Sequence, residues 1–256
     1  MLAYRRKGEG APVTLLHGFT QRGSAWDEQI DLLGPGFAFL AVDLPGHGDS
    51  PDAGATMPEA AASLVATWDA LGIEGSQVVG YSLGARLALW VACAYPQRVT
   101  ALATIGAHAG FEGSARTSRL ASDRALADRI ERQGVEWFES YWSSLPMWAG
   151  LSRRGPEFAR QLRDMRRANR ASGLAASLRG MGGAATEPFW NRLSAISANT
   201  LLLAGAEDAP YVEHARRIAR TIPQARVAVV PRAGHAAHME LPSAVATILR
   251  AHLQPD

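Results

Sequence analysis

With 256 residues, 47% hydrophobic content and a formal net charge of only +2, the chain can build one sizeable α/β core and lacks the charge of a general nucleic-acid binder. Its single cysteine, Cys93, rules out an internal disulfide and sits at an apolar helical position that reads as packing. No apolar run reaches the length of a membrane span and the first ten residues lack an uninterrupted apolar stretch of the secretory kind, so a cytoplasmic location is expected.

In chain order, residues 2–6 predict a short edge strand and 11–16 a buried strand ending in His17-Gly18-Phe19. Residues 24–33 have helical spacing. The apolar run 37–42 leads into the turn-rich loop Asp43-Leu44-Pro45-Gly46-His47-Gly48-Asp49-Ser50, and Pro58 suits the first turn of a helix over 58–71. A strand at 77–80, a helix at 83–95 and a strand at 100–105 follow. From about 109 to 190 the strand signal disappears, and helices are predicted over 114–133, 135–141, 156–170 and 172–181, punctuated by Gly134, Gly150, Gly155 and Gly173. Alternation resumes with a strand at 200–204, a helix at 211–221, a strand at 226–230 and a helix at 242–253. Repeated strand–loop–helix units predict an α/β fold with a doubly wound, mostly parallel sheet in residues 1–108 and 191–256, and a helical lid, residues 109–190, inserted into that core.

The chemistry centres on Gly80-Tyr81-Ser82-Leu83-Gly84, a G-x-S-x-G sequence set between a predicted strand and a predicted helix. Such a turn lifts the serine hydroxyl clear of the backbone, and small residues on either side let strand and helix approach. A hydroxyl becomes reactive when an imidazole takes its proton and a carboxylate fixes that imidazole. Asp208 and His235 both follow predicted strands, so the chain order is Ser82, Asp208, His235, on the sheet edge where open α/β sheets bind ligands. Glu207 competes for the acid role and His238 for the base, whereas Asp43 precedes the serine and would break the order. The His17-Gly18-Phe19 turn suits an oxyanion loop in which the backbone amide of Phe19 joins that of Leu83. His47, in its Gly/Pro loop, serves equally well as a local hydrogen-bonding group or as a functional one. No metal-ligand spacing and no dinucleotide or phosphate-loop pattern occurs, so neither a metal nor another cofactor is required.

Charge is uneven within the chain. Only Lys7 among 26 basic residues is a lysine, and between Trp148 and Gly182 eight arginines face two acids, Glu157 and Asp164, which suggests a local anionic partner.

Along its whole length the chain resembles the α/β-hydrolase superfamily, through His17-Gly18-Phe19, Asp43-Leu44-Pro45-Gly46-His47-Gly48, Gly80-Tyr81-Ser82-Leu83-Gly84, the Leu203 to Asp208 strand end and Gly234-His235. Within it the chain is similar to the 2-succinyl-6-hydroxy-2,4-cyclohexadiene-1-carboxylate synthases of menaquinone biosynthesis. The carriers of that likeness are Arg86 four residues after Ser82, Arg116-Thr117-Ser118-Arg119, Tyr141-Trp142, Arg167-Ala168-Asn169, Ser177-Leu178-Arg179-Gly180-Met181-Gly182 and Gly234-His235-Ala236-Ala237-His238-Met239-Glu240. The resemblance implies a lyase that abstracts a proton from 2-succinyl-5-enolpyruvyl-6-hydroxy-3-cyclohexene-1-carboxylate and expels pyruvate. It also implies substrate carboxylates held by Arg86, Arg119 and Arg167, with Trp142 and Tyr81 in the same pocket; planar guanidinium groups suit carboxylates. The chain departs from the family at Ser143-Ser144-Leu145, where a tyrosine and paired glutamines are usual, and in Gly106-Ala107-His108-Ala109-Gly110, which lacks a proline. A serine carboxylesterase or C–C bond hydrolase with Ser82 as covalent nucleophile is the nearest alternative, and a non-catalytic binder on the same fold the next. The expected partner is one small polycarboxylate, with no nucleic acid or membrane; a monomer is compatible with the sequence, which leaves the oligomeric state open.

Overall fold

A computed structural model of the chain describes residues 1–52 and 56–253. Seven strands form one sheet: β1 (Tyr4–Lys7), β2 (Gly10–Leu16), β3 (Gly36–Val42), β4 (Ser76–Tyr81), β5 (Val99–Ile105), β6 (Asn199–Gly205) and β7 (Ala225–Val230). Their spatial order is β1-β3-β2-β4-β5-β6-β7, with β1 antiparallel to β3 and every other pairing parallel. The chain first builds outward from β2 to β3 and then crosses back to lay β4 on the other side of β2. The loops after β2 and β4 therefore part company, and the crevice between them is where an open sheet of this kind seats a ligand.

Side-chain alternation along each strand feeds two apolar layers. Val78 and Leu102 point toward α2 (Met57–Ala70) and α3 (Leu83–Ala94), burying Leu64, Trp68, Leu87 and Val91. Val79 and Ala103 point to the opposite face, where α1 (Asp27–Leu33) and the C-terminal helix bury Trp26, Ile30, Val245 and Leu249. Cys93 belongs to the first layer, and burial pushes its thiol up to about 11.

Between β5 and β6 the chain is helical: α4 (Gly113–Ser143), a 3-10 stretch (Pro146–Arg154), α5 (Gly155–Arg167) and α6 (Ala171–Met181). The two helices expected over 114–133 and 135–141 are one element kinked at Gly134, whose φ of 82° leaves the helical region. Helix α5 stops at Arg167, short of the expected residue 170. There the Asn169 side chain donates to the Thr20 carbonyl (2.8 Å) and accepts from the Gly48 amide (3.3 Å), tying the turn to the core. Phe138, Leu174 and Leu178 form a third apolar cluster that packs on Phe19. The chain closes with α7 (Ala209–Ala219), the single turn α8 (Ala237–Glu240) and α9 (Pro242–Arg250), three residues shorter than expected. No helix among the described residues is long and apolar enough to cross a membrane.

Candidate active site

The turn from β4 into α3 has the shape its glycines foretell. Ser82 sits at φ 50° and ψ −105°, a strained backbone for a residue with a side chain. A Cβ on Gly80 would lie 2.4 Å from the Gly84 carbonyl oxygen, and one on Gly84 would lie 2.1 Å from the Leu16 oxygen and 2.6 Å from that of His17. Only glycines allow the helix to start that close to β2. The Ser82 amide is held by the Ile105 carbonyl at 2.8 Å, which leaves Oγ facing the crevice.

Ser82, His235 and Asp208 come together there. His235 Nδ1 lies 2.6 Å from Asp208 Oδ2, and since a carboxylate only accepts, Nδ1 carries the proton. In the neutral ring Nε2 is then a lone pair, 3.1 Å from Ser82 Oγ. Both rivals fall elsewhere. Glu207 is half exposed and pairs with Arg153. His238 is buried between Trp26 and Tyr81 with no partner on either ring nitrogen among the described residues, and burial lowers it to about 3. The other two loop histidines are structural. His17 Nε2 accepts from the Leu44 amide (2.9 Å) and His47 Nε2 from the Thr20 amide (3.2 Å). Burial holds them neutral, at about 4 and about 3. Together they shape the turn at Phe19. The amides of Phe19 and Leu83 find no acceptor among the described residues, and both residues line the cavity beside Ser82.

That cavity, about 360 Å³, lies between the sheet edge and the inserted helices. Its lining includes the aromatic rings of Phe19, Trp142 and Trp148 and the guanidinium groups of Arg86 and Arg119. Arg86 is 8% exposed and donates to the carbonyls of Gly182 (3.0 Å) and Met181 (2.7 Å), yet no carboxylate pairs with it among the described residues. Burial lowers it to about 10, which leaves it charged near neutrality. Arg119 shares its guanidinium with the buried Asp123 at 2.8 Å. Tyr81 OH, Trp142 Nε1, Trp148 Nε1 and Ser177 Oγ also belong to cavity-lining side chains and are buried without partners among the described residues.

Arg167, expected to hold a substrate carboxylate, is not among the residues lining this cavity. Its guanidinium binds Glu139, which is buried, through hydrogen bonds of 3.2 and 3.0 Å. The preceding residue, Arg166, is the buried one, against Trp148 and Ser143 Oγ. The anionic partner inferred from the arginine cluster is, for most of its members, this chain itself. Arg153 pairs with Glu207 and Glu240, Arg154 with Glu28, Arg160 with Glu157 and Asp164, Arg170 with Asp52, and Arg179 with Asp128 and Glu131.

Two lining residues escaped the sequence reading. His108 Nδ1 accepts from the Gly110 amide (3.0 Å), so the neutral ring carries its proton on Nε2; burial first, then Arg86, keeps it well below the usual imidazole range. Tyr211 packs on His235, ring centres 4.4 Å apart.

The fold and this arrangement at a strand–helix elbow define the class. Residues 11–242 match the alpha/beta hydrolase fold family, and the chain belongs to it. Within it the chain groups with the 2-succinyl-6-hydroxy-2,4-cyclohexadiene-1-carboxylate synthases. The enzyme of that name from Enterobacter sp. (strain 638) is 32% identical over 93% of this chain and 89% of its own length. Among solved structures, MenH from S. aureus is 26% identical, covers 99% of this chain and 98% of its own, and superposes with a TM-score of 0.92. A thermophilic esterase from Thermogutta terrifontis, solved with malate bound, is 29% identical with a TM-score of 0.86, covering 98% of this chain and 92% of its own.

Proposed function

We propose that the protein is a carbon–oxygen lyase that eliminates pyruvate from 2-succinyl-5-enolpyruvyl-6-hydroxy-3-cyclohexene-1-carboxylate to give 2-succinyl-6-hydroxy-2,4-cyclohexadiene-1-carboxylate. Residues 109–190 act as a lid over a core of residues 1–108 and 191–256. The observation that carries the reading is Arg86, a buried cation without a carboxylate partner among the described residues, one helical turn beyond Ser82 and in the same cavity. An unpaired buried charge is costly, and an anionic ligand relieves that cost through paired charge-assisted hydrogen bonds.

The change from a 3-ene to a 2,4-diene dictates the chemistry. The hydrogen leaves C2 and the oxygen substituent leaves C5, with the ring double bond moving between them. C2 bears the succinyl group, whose adjoining ketone makes that hydrogen acidic and takes up the negative charge as it leaves. Ser82 Oγ, relayed to His235 Nε2, accepts the proton. Asp208 holds the imidazole in the tautomer that can take it and stabilises the imidazolium formed. The amides of Phe19 and Leu83 suit the enolate oxygen. The C5–O bond then breaks, and enolpyruvate departs and picks up a proton to become pyruvate. Arg86 and Arg119 hold carboxylates, while Tyr81 and Trp142 bound the ring. Likeness to the named synthases across nearly the whole chain supports this assignment.

The test is pyruvate release from that substrate by purified protein, coupled to lactate dehydrogenase; an inactive wild type would sink the proposal. A second reading, ester hydrolysis, draws on the Thermogutta esterase and the same serine–histidine geometry. It requires Ser82 Oγ to attack carbon, so an acyl adduct on Ser82 in intact-mass spectra with short-chain esters would favour it.

A further inference from the structure

We infer that Arg153, on the lid, is a positioning residue that sets the geometry of the Asp208–His235 pair through Glu240 and Glu207. The inference rests on these two residues being the working acid and base, and is independent of the substrate assigned above.

His235 lies in a loop, and the amides on either side of it are both held by one carboxylate. Gly234 N–H donates to Glu240 Oε2 at 2.8 Å and Ala236 N–H to Oε1 at 3.3 Å. The Glu240 side chain is completely buried, so its charge needs a counter-charge nearby. Among the described residues that cation is Arg153, whose Nη2 sits 3.1 Å from Glu240 Oε2. The same nitrogen donates to the Arg232 carbonyl (2.9 Å), earlier in the His235 loop, and lies 3.2 Å from Glu207 Oε2. Glu207 is the residue before Asp208, and its amide donates to the Ala233 carbonyl at 2.8 Å. One guanidinium therefore laces the loop that bears the acid to the loop that bears the imidazole.

A second observation comes from the lid side. A Cβ on Gly150, four residues from the end of the 3-10 stretch Pro146–Arg154, would fall 1.9 Å from Glu240 Oε2. The lid backbone thus rests directly on the carboxylate that holds the histidine loop, and only glycine permits that approach. Trp148, on the same stretch, presents its ring edge-on to His235 at 5.9 Å. A displaced lid stretch would shift Glu240, and with it the His235 amides. A merely structural clasp would lower stability while leaving the imidazole–carboxylate hydrogen bond as it is.

The experiment compares Arg153→Met, Arg153→Lys and Gly150→Ala with wild type. It reads kcat and KM for pyruvate release, and the strongly downfield proton NMR signal of the hydrogen shared by His235 and Asp208. Arg153→Met is expected to lower kcat by roughly tenfold to a hundredfold, as small misplacements of catalytic groups do. KM should move less than about threefold, and the downfield signal should shift or broaden. Arg153→Lys restores most of kcat, and Gly150→Ala acts in the same direction as Arg153→Met. Folded Arg153→Met with wild-type kcat and an unchanged proton signal overturns the inference, as does a loss confined to KM. Arg153 is half exposed; if its methionine variant nevertheless fails to fold, Gly150→Ala decides by the same two readouts. Were wild type to release no pyruvate, the synthase assignment would fail while the proton signal still judged Arg153.

Discussion

The two walls of the cavity are held by different forces. On the sheet side, position is set by backbone and burial: a strained serine, glycines in van der Waals contact with β2, and histidines 17 and 47 kept neutral while their ring nitrogens accept backbone amides. On the side of the inserted helices, proposed above as a lid, position is set largely by arginine–carboxylate pairs with one partner in solvent, such as Arg154 with Glu28 and Arg170 with Asp52. The first kind of construction fixes atoms to a fraction of an ångström and tolerates little change. The second contributes about 1 kcal/mol or less per exposed pair and can be loosened without unfolding the core. In the function proposed above, the reacting groups and the buried cation Arg86 both belong to the first wall, and Arg119 reaches in from the second.

Breaking the sheet wall should have the largest consequence. Asp208→Asn preserves shape but lets His235 adopt the wrong tautomer, so pyruvate release should fall on the order of 10³- to 10⁴-fold with substrate binding retained. Steady-state kinetics with inhibitor titration separate the two. A loss smaller than tenfold would remove Asp208 from the mechanism.

Substrate recognition should respond in KM, first at Arg86, which α3 places on the sheet side of the cavity. Arg86→Met removes the unpaired buried guanidinium and should raise KM roughly tenfold to a hundredfold, the worth of a lost hydrogen bond to charge. Arg119→Met should do less, because Asp123 already shares that group. Arg167→Met should leave KM within about twofold and lower stability by about 1 kcal/mol. Its partner Glu139 is buried, but Arg167 is half exposed and Ser143 still donates to that carboxylate. Equal KM effects at Arg86 and Arg167 would break the comparison.

These two arginines also show where the sequence stops being legible. Ser82, Asp208 and His235 could be chosen because each follows a strand, and parallel strand ends share one edge of a sheet. Arg86, named by the family resemblance, lies one helical turn from Ser82, so its direction agrees with that of the serine. Arg167 could not be placed that way, since neighbouring helix positions differ by about 100° and nothing local says whether residue 166 or 167 faces inward. Its partner, Glu139, is 28 positions away. The local excess of arginine misled for the same reason: most of the balancing acids, Glu28, Asp52, Asp128, Glu139, Glu207 and Glu240 among them, lie outside residues 148–182. His108 carries no motif at all, because a neutral donor facing a cavity is recognisable only once the cavity exists.

Acid should separate the walls by a third route. His17 is lowered to about 4, His47 and His238 to about 3, all by burial, against about 6.5 when unfolded. Between those values the unfolded state binds protons that the folded state refuses. Their stabilising difference is thus complete above pH 6.5 and is lost as pH falls toward 4 and 3, by roughly 2 kcal/mol per histidine from pH 7 to 5. Asp52 and Glu131, lowered by hydrogen bonds from Arg170 and Arg179, stay ionised over that window. Urea midpoints at pH 7 and 5 should differ strongly, and a flat profile would show that the loop histidines are solvated.

The smallest effect expected is that of salt, and it is the one that bears on the lid alone. At 1 M ionic strength the screening length falls to about 3 Å, so exposed pairs lose most of their attraction while buried hydrogen bonds do not. Losing up to about 1 kcal/mol at Arg154–Glu28 and Arg170–Asp52 corresponds to roughly two- to fivefold faster amide exchange in α4 to α6. Amides of β4 and α3, protected by the apolar layers around Val78 and Leu87, should be unaffected. Lid exchange that ignores salt would instead assign the hold to the Phe138, Leu174 and Leu178 cluster packed on Phe19. In that case the lid would belong with the sheet wall, held by burial, and its arginines would serve only to orient it.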